Sequence, residues 1–257
     1  MDAFYLPLAE DRFRSTEHTI GPWSADSQHM GPPSGLLVRQ LERSAPDVPS
    51  ALARITVEIL GPVPIADLTV RSWVIRPGRA VALHGAELVA GDRPVVRASA
   101  WWIATGDTAE VAAGQPEPMP PVASGHPAET PEGWHIGYIT AMEWVSLKGG
   151  LGQPGPATVW ARQRVALVDG EEPSGPQRLM TVADSGSGVS NRLHPMEWFF
   201  INTELTVHLW RVPAGEWIGL DANTTIGPSG LGVAATVLHD EQGPLGRCTQ
   251  SLLIRPR

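Results

Sequence analysis

The sequence predicts an α+β chain made of two similar units, each a long helix wrapped by a curved antiparallel sheet. Three observations lead there. Phe199–Pro213 alternates, with Ile201, Thr203, Leu205, Val207 and Leu209 facing one way and Asn202, Glu204, Thr206, His208 and Trp210 the other. That is the period-2 pattern of a strand with one buried face. A shift of 150 positions lays Leu205-Thr206-Val207 on Ile55-Thr56-Val57, Leu238 on Leu88, Pro244 on Pro94 and Arg247 on Arg97, so the order and spacing of elements recur. Between the copies, Thr105–Gly133 holds six prolines and four glycines and has no sustained periodicity, which is the composition of a linker. The expected organisation is an N-terminal repeat over 1–104, a Pro-rich linker over 105–133 and a C-terminal repeat over 134–257.

Each element has a local reason. Arg12–Gly21 reads as a polar-rich strand ending at Gly21-Pro22. In the stretch from His29 to Asp47, Pro32-Pro33 precede Leu36, Leu37 and Leu41 and Pro46 closes the run, so a helix of about three turns is expected there. Strands are predicted at Arg54–Leu60, Asp67–Arg76, Ala80–Ala90 and Pro94–Ala104, separated by turn compositions. After the linker, Trp134–Leu147 and Thr158–Val168 read as strands and Gln177–Arg192 as the second helix. Four more strands are predicted at Phe199–Arg211, Glu216–Thr225, Gly230–Asp240 and Leu245–Arg255. One helix followed by four strands can cover its apolar surface only if the sheet curls around it. Gly186 and Gly188 each cost about 1 kcal/mol of helix propensity, which makes sense if sheet or ligand approaches the helix closely.

Composition excludes several function classes. The 257 residues carry a net charge of −8 with 18% charged residues and no Lys/Arg run, which disfavours nucleic-acid and anionic-membrane partners. The one cysteine, Cys248, leaves no intrachain disulfide or Cys-ligated zinc, and a reducing cytoplasm is the expected home. The N-terminus has no basic region ahead of an apolar stretch, and no apolar run reaches membrane-spanning length. The eight histidines show no paired ligand spacing, so neither a metal nor a cofactor is expected. Gly150–Gly155 fits G-x-G-x-x-G literally, but Pro154, Pro156 and the following strand exclude a dinucleotide fingerprint. Asp184–Gly188 lacks the first glycine of a G-x-S-x-G serine elbow.

The pieces HMGPPSGLLVRQL, EWVSLKGG, VWARQRV, VADSGSG, FINTELTVHLWR and CTQSLLIR occur in an order and spacing that resemble the type II acyl-CoA thioesterase family over nearly the whole chain. The resemblance implies a double hotdog fold and hydrolysis of an acyl-CoA thioester by a water held between an Asp, a Thr or Ser, and a Gln. Carried over residue by residue, it places the Gln at Gln250 and the hydroxyl at Thr225, with Thr224 the alternative if the register slips by one. The Asp position in the central strand holds Asn202, which orients a water but cannot accept its proton. Two carboxylates are candidates for the base. Glu204 lies two residues further along the same strand and on the same expected face, and Asp184 lies in the second helix at an acidic position of the family. His29 and Gly31, at the first helix start, are candidates for meeting pantetheine or phosphate. Ser185 and Gly186, beside Asp184, are read as substrate-facing. Ala100 stands where the first repeat would need its own Gln, so one site per chain is expected.

Two rival readings remain: a non-catalytic acyl-thioester-binding protein, and an enoyl-CoA hydratase-like hotdog enzyme in which Asp26 and His29 form the acid–base pair. A homo-oligomer of such chains is an expected assembly, since an exposed sheet edge favours further pairing.

Overall fold

The computed structural model describes residues 2–257. Strands β1 (Ala3–Pro7), β2 (Arg12–Ser15), β3 (Ile20–Gly21) and β4 (Ser24–Gln28) precede helix α1 (Gly31–Arg43). Then come β5 (Ser50–Ile59), β6 (Asp67–Arg76), β7 (Val81–Ala90) and β8 (Arg93–Ala104). The remainder begins with β9 (His126–Pro127), α2 (Gly137–Ala141), β10 (Met142–Gly150), β11 (Gln153–Gln163) and β12 (Ala166–Val168), followed by α3 (Gly175–Ala183) and α4 (Gly186–Val189). It closes with β13 (Trp198–Asn202), β14 (Glu204–Leu209), β15 (Ile218–Ile226), β16 (Leu231–Asp240) and β17 (Gly243–Pro256). All eight strands predicted after the two helices are present within a few residues of their expected ends, β13 and β14 together filling the place of one.

Five local expectations change. The strand at Arg12–Gly21 is interrupted by a single 3-10 turn at Glu17–Thr19, where the Thr16 hydroxyl accepts the His18 N–H. Trp134–Leu147 begins as the short helix α2, because Gly137 at φ +50 turns the chain beside the Ile20 backbone before β10 starts. The second helix is broken at Asp184, and the central strand at Thr203. The linker is not bare: β9 pairs with β10, and Pro120 accepts the indole N–H of Trp160 at 2.9 Å.

Fifteen strands form one continuous sheet in the order β12-β1-β2-β6-β7-β8-β5-β14-β17-β16-β15-β11-β10-β9, with β13 also on β17, while β3 and β4 pair apart as a two-stranded sheet. The two units join edge to edge through the antiparallel pair β5–β14, where Thr206 stands opposite Thr56. These residues are each other's counterparts under the 150-residue shift, so a local two-fold axis passes between them. Their hydroxyls are 3.2 Å apart.

The sheet wraps α1 and α3, which pack against each other inside it. From Gly31 to Arg39 every residue of α1 is buried. The crossing is close because two glycines sit in it: a Cβ on Gly31 would overlap the Thr181 carbonyl, and one on Gly35 would stand 2.5 Å from the Thr181 hydroxyl. Gly31→Ala is therefore expected to lower the unfolding free energy by about 1–3 kcal/mol, the usual scale of overpacking. Chemical denaturation measures it, and an unchanged midpoint would mean that the helices part freely.

Candidate active site

The break in the second helix builds the site. Helix α3 is capped by Ser174, whose hydroxyl accepts the Gln177 N–H and donates to Glu42 of α1 at 2.7 Å. At the other end the helical ladder lapses: the Asp184 carbonyl accepts the Gln250 amide at 3.0 Å, and helical bonding resumes with Val189 N–H to Ser185 at 2.9 Å. Gly186 is required there, since a Cβ would stand 2.6 Å from the Thr236 hydroxyl and 3.1 Å from Gln250 Oε1. A Cβ on Gly188 would meet nothing within 4 Å, because Gly188 borders a cavity.

Asp184 is the hub. Its Oδ1 accepts from Asn202 Nδ2 at 2.8 Å and from Gln250 Nε2 at 3.3 Å, while Oδ2 lies 3.2 Å from His29 Nδ1. His29 stacks on Tyr138, with ring centroids 3.7 Å apart and planes 7° from parallel. Burial lowers the His29 pKa, opposed by the Asp184 charge, and burial raises that of Tyr138. Tyr138 donates to the Thr181 carbonyl at 2.8 Å, so the Ser185 hydroxyl, 2.9 Å away, is the donor in that second bond. The Gly31 N–H also approaches His29 Nδ1, at 3.0 Å. One ring nitrogen cannot accept from Gly31 and donate to Asp184 at once. Nδ1 takes the Gly31 N–H, so the neutral ring carries its proton on Nε2, and the Asp184 carboxylate stands beside Nδ1 without a hydrogen bond to it.

The cavity beside this cluster has a volume of about 450 Å³ and is walled by both repeats. Its polar lining includes His29, Asp184, Ser185, Ser187 and Asn202; its apolar walls include Trp23, Trp134, Phe199 and Phe200. Ser187, whose hydroxyl makes no hydrogen bond among the described residues, and the Tyr138 ring both escaped the sequence reading. Ser187 was set aside with the failed serine-elbow pattern, and nothing local marks Tyr138 as a support for a histidine.

Several predicted site residues lie elsewhere. Thr225 is on the exposed outer face of β15, while Thr224, one residue earlier, is 2% exposed and faces inward. A one-residue step reverses the face in a strand. Even Thr224 braces rather than lines the cavity: it donates to Ser190 at 2.8 Å, because Ser190 spends its own proton on the Gly186 carbonyl. Glu204 does not share a face with Asn202. Asn202 pairs with Leu252 and Thr206 with Thr249, so one extra residue is inserted around Thr203, a β-bulge that reverses the alternation. Glu204 instead accepts the Ser251 N–H and the Thr206 hydroxyl, both at 2.8 Å. Gln250 does not border the cavity; its Oε1 accepts the Ser187 N–H at 2.9 Å and its Nε2 serves Asp184. Gly31 is a helix-packing residue whose N–H points at His29. Asp26 is exposed, and the carboxylate beside His29 is Asp184 of the other repeat.

Residues 19–103 match the family model for the acyl-CoA thioesterase N-terminal domain and residues 116–254 that for the C-terminal domain. The chain belongs to the acyl-CoA thioesterase family. Among solved structures, this thioesterase-family chain resembles a hot dog fold protein from Alicyclobacillus acidocaldarius, with a TM-score of 0.75 and 15% identity over 99% of this chain and 97% of that one. It also resembles an acyl-CoA thioesterase II from Mycobacterium marinum, with a TM-score of 0.68 and 14% identity over 98% and 95% of the two chains. At these identities the likeness shows the fold, a double hotdog. No curated protein sequence matches the chain. Among the described residues, no three His, Cys, Asp or Glu side chains gather as a metal site, and no helix is long and apolar enough to cross a membrane.

Two outcomes are expected from this thioesterase-family site. Gln250→Ala strands the Ser187 N–H and the Asp184 carbonyl in a buried place, so it should lower the melting temperature as well as any turnover, by about 1–3 kcal/mol for each unsatisfied group; differential scanning calorimetry reads the shift. Stability should also fall in mild acid. Burial lowers the pKa of His29, His84 and His239, so the unfolded chain takes up protons near the ordinary value of about 6.5 before the folded chain does. Their contribution is fully present above that value and declines as the pH drops through it toward the folded values. A melting temperature at pH 5.5 equal to that at pH 7.5 would contradict this.

Proposed function

We propose that this chain hydrolyses an acyl-CoA thioester with Asp184 as the general base. The observation that carries the reading is the unequal treatment of the two oxygens of this cavity-lining carboxylate: Asn202 and Gln250 occupy Oδ1, while Oδ2 accepts no hydrogen bond among the described residues and lies 3.2 Å from His29 Nδ1. On this reading the Asn in the central strand is no lost catalyst. Its amide aims the carboxylate that the neighbouring helix supplies.

A water between Asp184 Oδ2 and the bound thioester attacks the carbonyl carbon as its proton passes to Asp184. The Ser187 hydroxyl, unpartnered at the cavity wall, donates to the oxygen on which negative charge develops. Collapse of the intermediate breaks the C–S bond, and the proton on Asp184 passes to the departing thiolate. His29, with Nδ1 3.2 Å from Oδ2, packs against the carboxylate and limits its rotation. Gln250 and Thr224 act one layer back, keeping the broken helix in register with β17 and β15.

The His29–Asp184 pair favours one second reading, addition of water to an enoyl thioester, with the acid–base pair formed across the repeats. Loss of enoyl absorbance without thiol release would identify it. Under the first reading, Asp184→Asn lowers kcat for thiol release from acyl-CoAs by about 10²- to 10⁴-fold while the fold is kept. An unchanged rate would remove Asp184 from the mechanism.

A further inference from the structure

The rim of the cavity carries a pair of arginines outside the catalytic cluster. Trp23 and Phe199, half-buried rings that line the cavity, stand 6.2 Å apart. Arg255 lies over Phe199 with its guanidinium carbon 5.2 Å from the ring centroid; Arg257 lies over both rings, at 4.6 Å from Phe199 and 5.6 Å from Trp23. Backbone pairing fixes both. Arg255 is the cross-strand partner of Phe199, and the Arg257 N–H donates to the Glu197 carbonyl at 2.9 Å. Both side chains are exposed. Among the described residues neither guanidinium makes an ion pair or a hydrogen bond, a condition they share with Arg79, Arg93 and Arg247; what sets them apart is that both stand over one aromatic ring.

Two free guanidinium groups thus converge on one ring at the cavity rim, in a chain whose net charge is −8. Stacking on an aromatic face holds the plane of each fork and leaves its N–H edge open, the arrangement that suits a phosphate. Trp23 and Phe199 line the same cavity as Asp184, so a substrate with its thioester at Asp184 has a route out past these half-buried rings.

We propose that Arg255 and Arg257 form a phosphate-binding rim that takes the nucleotide end of coenzyme A. The inference rests on the thioester reading of the cavity. It assigns affinity, not chemistry, to the rim: the arginines act on the part of the substrate that the acyl-transfer step leaves unchanged.

The test compares one acyl group carried either by coenzyme A or by pantetheine, which lacks the nucleotide phosphates, in the natural protein and in R255A/R257A. KM for the acyl-CoA should rise about tenfold, as expected for loss of charge-assisted contacts, with kcat unchanged and the pantetheine thioester unaffected. No change with acyl-CoA, or equal losses on both substrates, overturns the rim; equal losses with a lower melting temperature would mean that the stacks are structural. If the natural protein releases thiol from neither substrate, it is the hydrolytic reading that fails. Calorimetric titration of free coenzyme A then still decides the rim, because equal affinities in the two proteins overturn it and a roughly tenfold weaker variant supports it.

Discussion

The pairing of β5 with β14 is the constraint on which the other features depend. It sets Thr56 opposite Thr206 and turns two half-sheets into one. Once that register is set, α1 and α3 have to meet inside the sheet, and the glycines at their crossing let them do so. The same placement brings His29, two residues ahead of α1, against Asp184, the residue just after α3. Neither repeat holds the pair alone, so the cluster exists only as a product of the joint.

The two halves share a plan and divide the labour. Under the 150-residue shift, Asp184, Gln250 and Thr224 correspond to Ser34, Ala100 and Val74. Ser34 turns its hydroxyl back to the Met30 carbonyl at 2.7 Å, an ordinary helix bond, and α1 runs on unbroken. In the second repeat the helix gives up a turn of its ladder. A break of this kind exposes backbone groups that must find partners when buried. Gln250 and Ser190 are those partners, which is why a polar amide sits in the apolar strand β17.

Much of the fold was legible in the sequence because alternation and turn residues report locally. Asp67–Arg76 is a strand with the predicted ends, and the repeat showed in spacing despite little identity. What escaped notice depends on partners far along the chain. The bulge at Thr203 leaves no mark in the strand's own letters, since apolar and polar residues alternate straight through it, and so Glu204 was assigned the wrong face. Thr224 and Thr225 are adjacent β-branched residues that only pairing with β16 can tell apart. Asp184 was legible as a candidate, but its contact with His29 joins residues more than half a chain apart, and the role of Asn202 as its brace follows only from that geometry.

The parallel pairing of β1 with β12 has a wider consequence. The first strand of the chain lies along a strand of the second repeat, with Ala3 opposite Ala166 and Tyr5 opposite Val168, while β5 and β14 close the opposite side. The halves are thus laced together twice, and the segment between them is not what keeps them in contact. Severing the backbone there would leave two fragments still clasped, each with a raw sheet edge that the other covers. Duplication has in this way produced a single cooperative unit, not two modules on a string.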